Sequence, residues 1–106
     1  MSRSLLERRL TDVGARLARL REEMGVADEQ LAHFADEADE TRLRALVSET
    51  PLAEHEHREA QKHADAMARH RGEVEAEIAR LERALDELLD ELSGSAPLPP
   101  PPTAGR

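Results

Sequence analysis

The stretch "RALVSETPLAEHEH", Arg44 to His57, interrupts a chain that otherwise has the spacing of helix. Within it, "SETP" has the residue types of a junction between two helices. Thr50 is a favoured N-cap residue, and Pro51 follows at the first helical position, where its missing N–H costs no hydrogen bond. The residue before a proline resists helical geometry, which ends the preceding helix near Val47 to Glu49. The stretch therefore predicts a turn at residues 48–51.

Two runs of mainly apolar residues flank this turn, with the alternating steps of four and three that are typical of a coiled coil. We call these residues the seam. The first run comprises Leu6, Leu10, Val13, Leu17, Leu20, Met24, Ala27, Leu31, Phe34, Ala38, Thr41 and Ala45. The second run comprises Ala53, His57, Ala60, Ala64, Met67, Arg71, Val74, Ile78, Leu81, Leu85, Leu88 and Leu92. The runs predict helical arms at about residues 3–48 and 51–92.

The two runs mirror one another, because opposed seam residues such as Leu6 and Leu92 have numbers that sum to 98. A chain that folds back at residue 49 brings each seam residue against its partner in one layer. The pattern predicts an all-α fold: a two-helix antiparallel coiled-coil hairpin formed by residues 1–93. Leu, Val and Ile layers near the termini, the root, are expected to supply most of its stability, since the small residues near the turn bury less apolar area.

Positions beside the seam predict ion pairs between the arms. The register brings Arg21 to Glu75 and sets one like-charge pair, Glu23 with Glu77. Each exposed pair is worth about 0.2–1 kcal/mol, so such pairs select the register more than they stabilise it.

One layer of the seam is polar. Ala27 faces Arg71, with Gly25 and Gly72 beside them, and this layer is either a hinge or a coiled-coil layer from which one arginine reaches solvent. A second interpretation breaks the first arm at Gly25, with Asp28 capping a new helix.

Composition excludes several classes of function. There is no cysteine, hence no disulfide framework or thiolate metal site, and the net charge is −8 with a single lysine and a single aromatic residue, Phe34. These features predict no direct binding to nucleic acid or membrane. Without an apolar run at the N-terminus, the chain is expected to be soluble and cytoplasmic. Arginine in place of lysine, with abundant alanine, indicates a high-GC, actinobacterial-type bacterial source.

The sequence carries no catalytic signature. Its five histidines lack the convergent spacing of a zinc site, and its carboxylates lie on a rod without a desolvated cleft. We therefore predict no enzyme activity and no catalytic, metal-binding or cofactor-binding residues. His57 differs from the other histidines because it lies in the seam opposite Thr41, where protonation is expected to loosen the tip.

The end of the hairpin at the turn, the tip, carries apolar residues outside the seam. Leu43, Leu46 and Val47 have the i, i+3, i+4 spacing of one helix face, and Leu52 follows the turn. Clustered exposed apolar residues indicate a contact site, although they can also cap the tip's own end. The candidate partner-binding residues are Leu43, Leu46, Val47, Glu49, Leu52 and Glu54.

The predicted architecture over residues 3–92 resembles the coiled-coil hairpin of Gre-type transcript cleavage factors. Those hairpins enter the secondary channel of RNA polymerase and assist a catalytic magnesium with acidic tip residues. The resemblance implies this role for Glu49 and Glu54.

The chain also resembles the cyclic-di-GMP-dependent anti-sigma hairpins of actinobacteria, whose ligand motif is E-x3-S-x2-R-x3-Q-x3-D. Glu37, Thr41 and Arg44 follow its first half with one substitution, while Ser48 and Leu52 stand at its Gln and Asp positions. Since the motif is incomplete, no cofactor is expected.

The sequence thus predicts a non-enzymatic interaction or regulatory module that docks through its tip on a larger intracellular protein, such as a component of the transcription machinery. The alternatives are an accessory factor that inserts acidic tip residues into a partner's metal-dependent active site, and a structural self-assembling rod. A homodimer is expected through the root, where Leu5 and Leu89 add apolar surface. Residues 94–106 are expected to form a disordered Pro-rich tail.

Overall fold

The computed structural model describes residues 2–95 and consists of two long helices. Helix α1 spans Arg3–Ser48 and helix α2 spans Pro51–Ser95, and the two pack against each other in antiparallel orientation. At ~1.5 Å per residue each arm is about 68 Å long. There is no strand within residues 2–95. The predicted two-helix hairpin is confirmed.

The seam accounts for nearly all burial. In α1 the twelve seam residues are buried or half-buried, and every other residue of that helix is exposed. The twelve seam residues of α2 are also buried or half-buried. The shielded face of α2 is wider than that of α1, because five further residues are half-buried: Glu59, His70, Glu77, Ala79 and Ala84. The seam predicted from spacing is therefore the seam that the structure forms.

The register agrees with the mirror pattern where individual contacts define it. Thr41 Oγ1 lies 3.4 Å from His57 Nδ1, and these residue numbers sum to 98. Ala38, Ala60 and Ala64 form a buried cluster on which Phe34 packs, in the layers 38/60 and 34/64. These three alanines are buried, because small side chains let the helices approach closely.

The ion pairs between the arms differ from the expected ones. Arg21 pairs with Glu82 at 3.3 Å rather than with Glu75. A position beside the seam lies between two positions of the opposite helix that are one heptad apart, and a long arginine reaches either of them. The register is unchanged, but the choice of partner was wrong.

The expected clash between Glu23 and Glu77 is also absent. Glu23 pairs with His70 at 3.3 Å, and Glu77 lies 3.4 Å from Arg16 and forms a hydrogen bond with Arg80. Hydrogen bonding from Arg80, with the nearby positive charges, lowers the pKa of the Glu77 carboxyl.

Helix α1 is continuous through Gly25, so the interpretation with a break at this position is wrong. A single glycine costs a helix only about 1 kcal/mol relative to alanine, which the unbroken seam offsets. In the adjoining polar layer, the Arg71 side chain leaves the seam and donates hydrogen bonds to Asp28 and Glu75. Pairing with Asp28, by hydrogen bond and by charge, and then with Glu75 raises the pKa of Arg71. The layer keeps its arginine hydrated, and a hinge here remains a hypothesis.

Helix α2 runs to Ser95, three residues beyond the predicted end at Leu92. Gly94 does not stop the helix, since glycine is unfavourable there by only about 1 kcal/mol. The predicted tail beyond Ser95 lies outside the described residues.

Replacing Gly25 or Gly72 with alanine is expected to stabilise the hairpin by about 0.4–1 kcal/mol each. Both glycines are helical, and a Cβ added at either meets no atom within 4 Å. The gain should appear as a higher urea midpoint at unchanged slope, monitored by circular dichroism. A loss of stability in either variant would show that the helix must bend there, as a hinge requires.

Candidate functional site

The tip is closed by two residues between the helices. Helix α1 ends at Ser48, and Glu49 turns the chain with left-handed backbone angles, φ 50° and ψ 36°. Its N–H donates a hydrogen bond to the Ala45 carbonyl at 3.0 Å. Thr50 then caps α2, since its Oγ1 accepts a hydrogen bond from the Ala53 N–H at 3.2 Å. The predicted N-cap at Thr50 is confirmed.

Glu49 occupies a conformation that suits glycine. It is the one non-glycine residue with positive φ among residues 2–95. Left-handed helical angles cost an ordinary L-residue about 1–2 kcal/mol, and the position after a helix C-terminus is commonly glycine for that reason. The chain therefore holds an exposed carboxylate at its apex at a cost in stability, which is the kind of strain found at functional sites.

The apolar tip residues are open to solvent. Leu43, Leu46, Val47 and Leu52 have exposed fractions between 57% and 85%. They do not cap the end of the hairpin, because side chains that served as a cap would be covered. Val47 and Leu52 occupy equivalent c positions of the two heptad patterns, so they flank the turn on one edge. The four residues form what we call the tip patch.

An acidic surface adjoins the tip patch on the same face of α1. Asp36, Asp39 and Glu40 occupy the outward-facing heptad positions one to two turns before Leu43, and all three are exposed. The outer face of α1 thus changes from acidic to apolar within its last three turns. Arg42 and Arg44 lie beside the seam, on its two opposite edges.

His57 contacts Thr41 in the seam as predicted. Thr41 is buried, and its single hydroxyl proton is donated to the backbone carbonyls of Glu37 and Ala38, at 2.9 and 3.0 Å. The Thr41 oxygen also lies 3.4 Å from His57 Nδ1, a contact whose donor depends on the tautomer of the ring. A pH-sensitive seam position at His57 stays a prediction.

A shallow open depression of about 350 Å³ lies on one edge near the tip. Its lining residues are Glu37, Thr41, Arg44, His55, Glu56, Glu59, Ala60 and His63. It contains the three residues that follow half of the cyclic-di-GMP motif, but three carboxylates line it, so a phosphate would meet like charge. Lys62 lowers the pKa of Glu59 through a hydrogen bond and its positive charge.

The histidines make different local contacts. His63 stacks on Phe34 at a ring distance of 5.8 Å, and His33 lies 4.0 Å from the Glu37 carboxylate. Within the described part of the chain, no three His, Cys, Asp or Glu side chains are placed to hold a metal ion. In the same residues, neither helix has a segment apolar and long enough to cross a membrane.

Sequence reasoning located the tip patch but missed the strain at Glu49. A signal for it was present. The junction "SETP" contains neither glycine nor asparagine, the residues that adopt left-handed angles most easily, although the chain must reverse within two residues.

Comparisons with models of known protein families, with curated proteins and with solved structures found no match to this chain. The geometry of the hairpin and the chemistry of its surface are therefore the basis for a functional proposal.

Glu49→Gly is expected to raise the free energy of unfolding by about 1 kcal/mol, because glycine adopts left-handed angles without the Cβ penalty. Thermal or urea unfolding followed by circular dichroism measures the change. Glu49→Ala, which removes the carboxylate and keeps the Cβ, is the control and should not reproduce the gain. Equal stabilisation by both variants would assign the effect to loss of charge rather than to relief of strain.

Proposed function

We propose that this chain is a non-enzymatic interaction module that docks on a larger intracellular protein through the tip patch. The observation that carries the proposal is the exposure of four large apolar side chains at the tip, where the fold has no use for them. At the root end of α1 several of the equivalent outward-facing positions are charged, as at Arg8, Asp12 and Arg19. Folding alone gives no reason for this difference along one helix.

The tip patch is large enough to anchor a complex. Burying one Leu or Val side chain contributes about 1.5–3 kcal/mol, and a few well-packed anchors dominate most interfaces. The three α1 residues lie on consecutive turns of one helix, so a groove or pocket of the partner can receive them together. A rigid hairpin also loses little conformational entropy on docking.

The acidic surface beside the patch indicates the chemistry of the partner. An apolar pocket with a basic rim would complement Leu43, Leu46 and Val47 together with Asp36, Asp39 and Glu40. Such charges act mainly on the association rate and on specificity, and their effect is screened by salt. Complex formation should therefore weaken as ionic strength rises, while the apolar anchors supply most of the affinity.

A second candidate function is favoured by the strain at Glu49. In this function, the hairpin is an accessory factor whose apex carries a carboxylate that reaches a metal ion in the active site of another protein. Glu49 lies at the apex with a defined backbone conformation, and Glu54 lies in the first turn of α2. The described residues hold no metal site of their own, so the partner's active site would provide the remaining ligands.

The docking role predicts that Leu43→Gln, Leu46→Gln and Val47→Gln together abolish capture of the partner from native lysate while leaving the circular dichroism spectrum unchanged. The substituted residues are exposed, so the free energy of unfolding should change by only a few tenths of a kcal/mol per site. The matched control is Leu5→Gln with Val26→Gln, which exchanges two exposed apolar residues elsewhere on α1 for the same amide.

A photo-crosslinking residue at position 46 should label the same protein that the unmodified hairpin captures, and one at position 26 should not. Capture of that protein by the folded triple variant at the level of the control would refute docking through the tip.

Glu49→Gln with Glu54→Gln separates the two candidate functions. Glutamine keeps the size and hydrogen-bonding capacity of the side chain but does not supply a charged metal ligand. Docking through apolar anchors should persist with affinity reduced no more than a few-fold, and a carboxylate donor should lose its effect on the partner's metal-dependent reaction. Complete loss of binding in this variant would contradict the apolar anchors as the main source of affinity.

A further inference from the structure

The root of the hairpin has a mainly uncharged face on one edge, where α2 contributes one exposed carboxylate, Asp86, at the b position one turn before Leu89. On the edge lined by the e positions of both helices, α1 presents no charged residue between Glu7 and Arg21. The residues of this face, which we call the root patch, are Leu10, Thr11, Gly14 and Ala18 of α1 and Leu85 and Leu89 of α2. Leu5, which the sequence analysis grouped with Leu89, occupies a c position and lies towards the opposite edge.

The root patch exposes leucine side chains, and its one hydroxyl group and two of the carboxylates at its border already have partners within the chain. Leu89 has an exposed fraction of 45%, and Leu10 and Leu85 are only half-buried although they belong to the seam. The Thr11 hydroxyl donates to the Glu7 carbonyl at 3.0 Å, so its polar group is already satisfied. Two bordering carboxylates are paired within the chain, Glu7 with Arg3 at 3.2 Å and Glu82 with Arg21 at 3.3 Å.

Gly14 leaves open space in the root patch where another residue would carry a side chain, and we call this space the depression at Gly14. An added Cβ at Gly14 would meet no atom within 4 Å, and the residue is helical, so alanine would fit and would favour the helix. The hairpin itself has no need of glycine at this position. Among the glycines of the described residues, Gly14 is the one at an e position, beside the protruding Leu89 side chain of the opposite arm. A missing side chain here leaves room for a side chain from outside.

The hairpin buries little on its own. Eight of the described residues are buried, and four of them are alanines: Ala27, Ala38, Ala60 and Ala64. Small scaffolds with thin cores are commonly stabilised by oligomerisation. The large aliphatic seam residues near the termini, which would contribute most if covered, are mainly half-buried, so the root is where association would add burial.

Charge favours a second copy at the root over any other alignment of two hairpins. The distal part, residues 28–70, contains eleven Asp and Glu against five Lys and Arg, a net charge of −6. Residues 2–27 and 71–95 contain twelve Asp and Glu against nine Arg, a net charge of −3. Two hairpins side by side would place their acidic distal parts together. An arrangement that overlaps the roots with the tips apart keeps the distal parts far beyond the ~8 Å screening length.

We propose that a second copy of this chain docks on the root patch, forming a two-fold symmetric dimer with its tips pointing apart, in which Leu89 of each copy packs into the depression at Gly14 of the other. A two-fold interface uses the same patch on both subunits, and the patch contains both the protruding side chain and the space for it. Because the patch is smaller than the ~20–30 residues per side of a standard interface, the dimer is reversible in the micromolar range. The proposal does not depend on what the tip binds.

Sedimentation velocity of the full chain over the micromolar range tests the dimer. The unmodified chain should pass from monomer to dimer as its concentration rises, and Leu89→Gln should raise the dissociation constant about tenfold or more, as expected for a central anchor. Leu5→Gln is the matched control, because it makes the same exchange at a similarly exposed leucine on the other edge, and it should leave the dissociation constant unchanged.

Gly14→Gln gives a second test, because it should stabilise the monomer and weaken the dimer. Glutamine favours helix and meets open space at this position, so the monomer should become more stable at concentrations where it does not associate. The same side chain fills the depression and should weaken dimerisation about tenfold or more. Gly25→Gln, at another open helical glycine outside the patch, should stabilise equally without affecting dimerisation.

Each result decides the proposal. A chain that stays monomeric throughout the micromolar range overturns it. A dimer that persists with unchanged affinity in folded Leu89→Gln and Gly14→Gln overturns the assignment of the interface to the root patch. Weakening by both, with both controls unchanged, supports it.

Discussion

The seam between two antiparallel helices is the constraint on which this structure depends. In a two-helix hairpin a side chain faces either the other helix or water. Only one residue in about 3.5 therefore has to be suited to packing against the other helix. The exposure pattern of α1 shows this division without exception, since its twelve seam residues are shielded and the rest are open. Residues outside the seam are consequently free of packing demands. Packing within the hairpin does not explain why a residue outside the seam is apolar. It also does not explain why such a position holds a residue type that lowers the stability of the fold.

The seam also changes in character along the rod. Towards the turn it narrows to alanine and threonine, so the helices approach closely and Ala38, Ala60 and Ala64 are fully covered. Towards the termini it widens to leucine, isoleucine and valine; Leu6, Leu17 and Val74 are buried, but two helices cover most of the others only partly. A slender distal part suits entry into a groove or channel of another protein. A thick, partly covered root suits association, and Arg71 marks the boundary between the two parts by turning out of the seam to Asp28 and Glu75.

Much of this fold follows from the sequence because it depends on periodicity and on one proline. The seam, the mirror register and the turn at Pro51 are properties of spacing, and the structure reproduces them. The partners of exposed charges do not follow in the same way. Arg21 selects Glu82 over Glu75 because a flexible side chain can reach either of two sites that differ little in energy. The left-handed Glu49 and the open space at Gly14 are local backbone and surface properties, which hydrophobic spacing does not encode.

The two ends of the rod share one feature. Glu49 is a non-glycine residue where glycine would be more stable, and Gly14 is a glycine where alanine would be more stable, each by about 1 kcal/mol. Against a total stability of about 5–15 kcal/mol for a folded domain, such costs are appreciable. Gly25 and Gly72 carry the same cost beside the polar layer. At the two ends the unfavourable residue lies next to exposed apolar side chains, Val47 and Leu52 at the tip and Leu89 at the root. At both ends, then, a residue that lowers the stability of the hairpin lies beside an uncovered apolar surface. This combination is expected where contacts with another molecule, rather than the stability of the hairpin itself, determine which residue occupies the position.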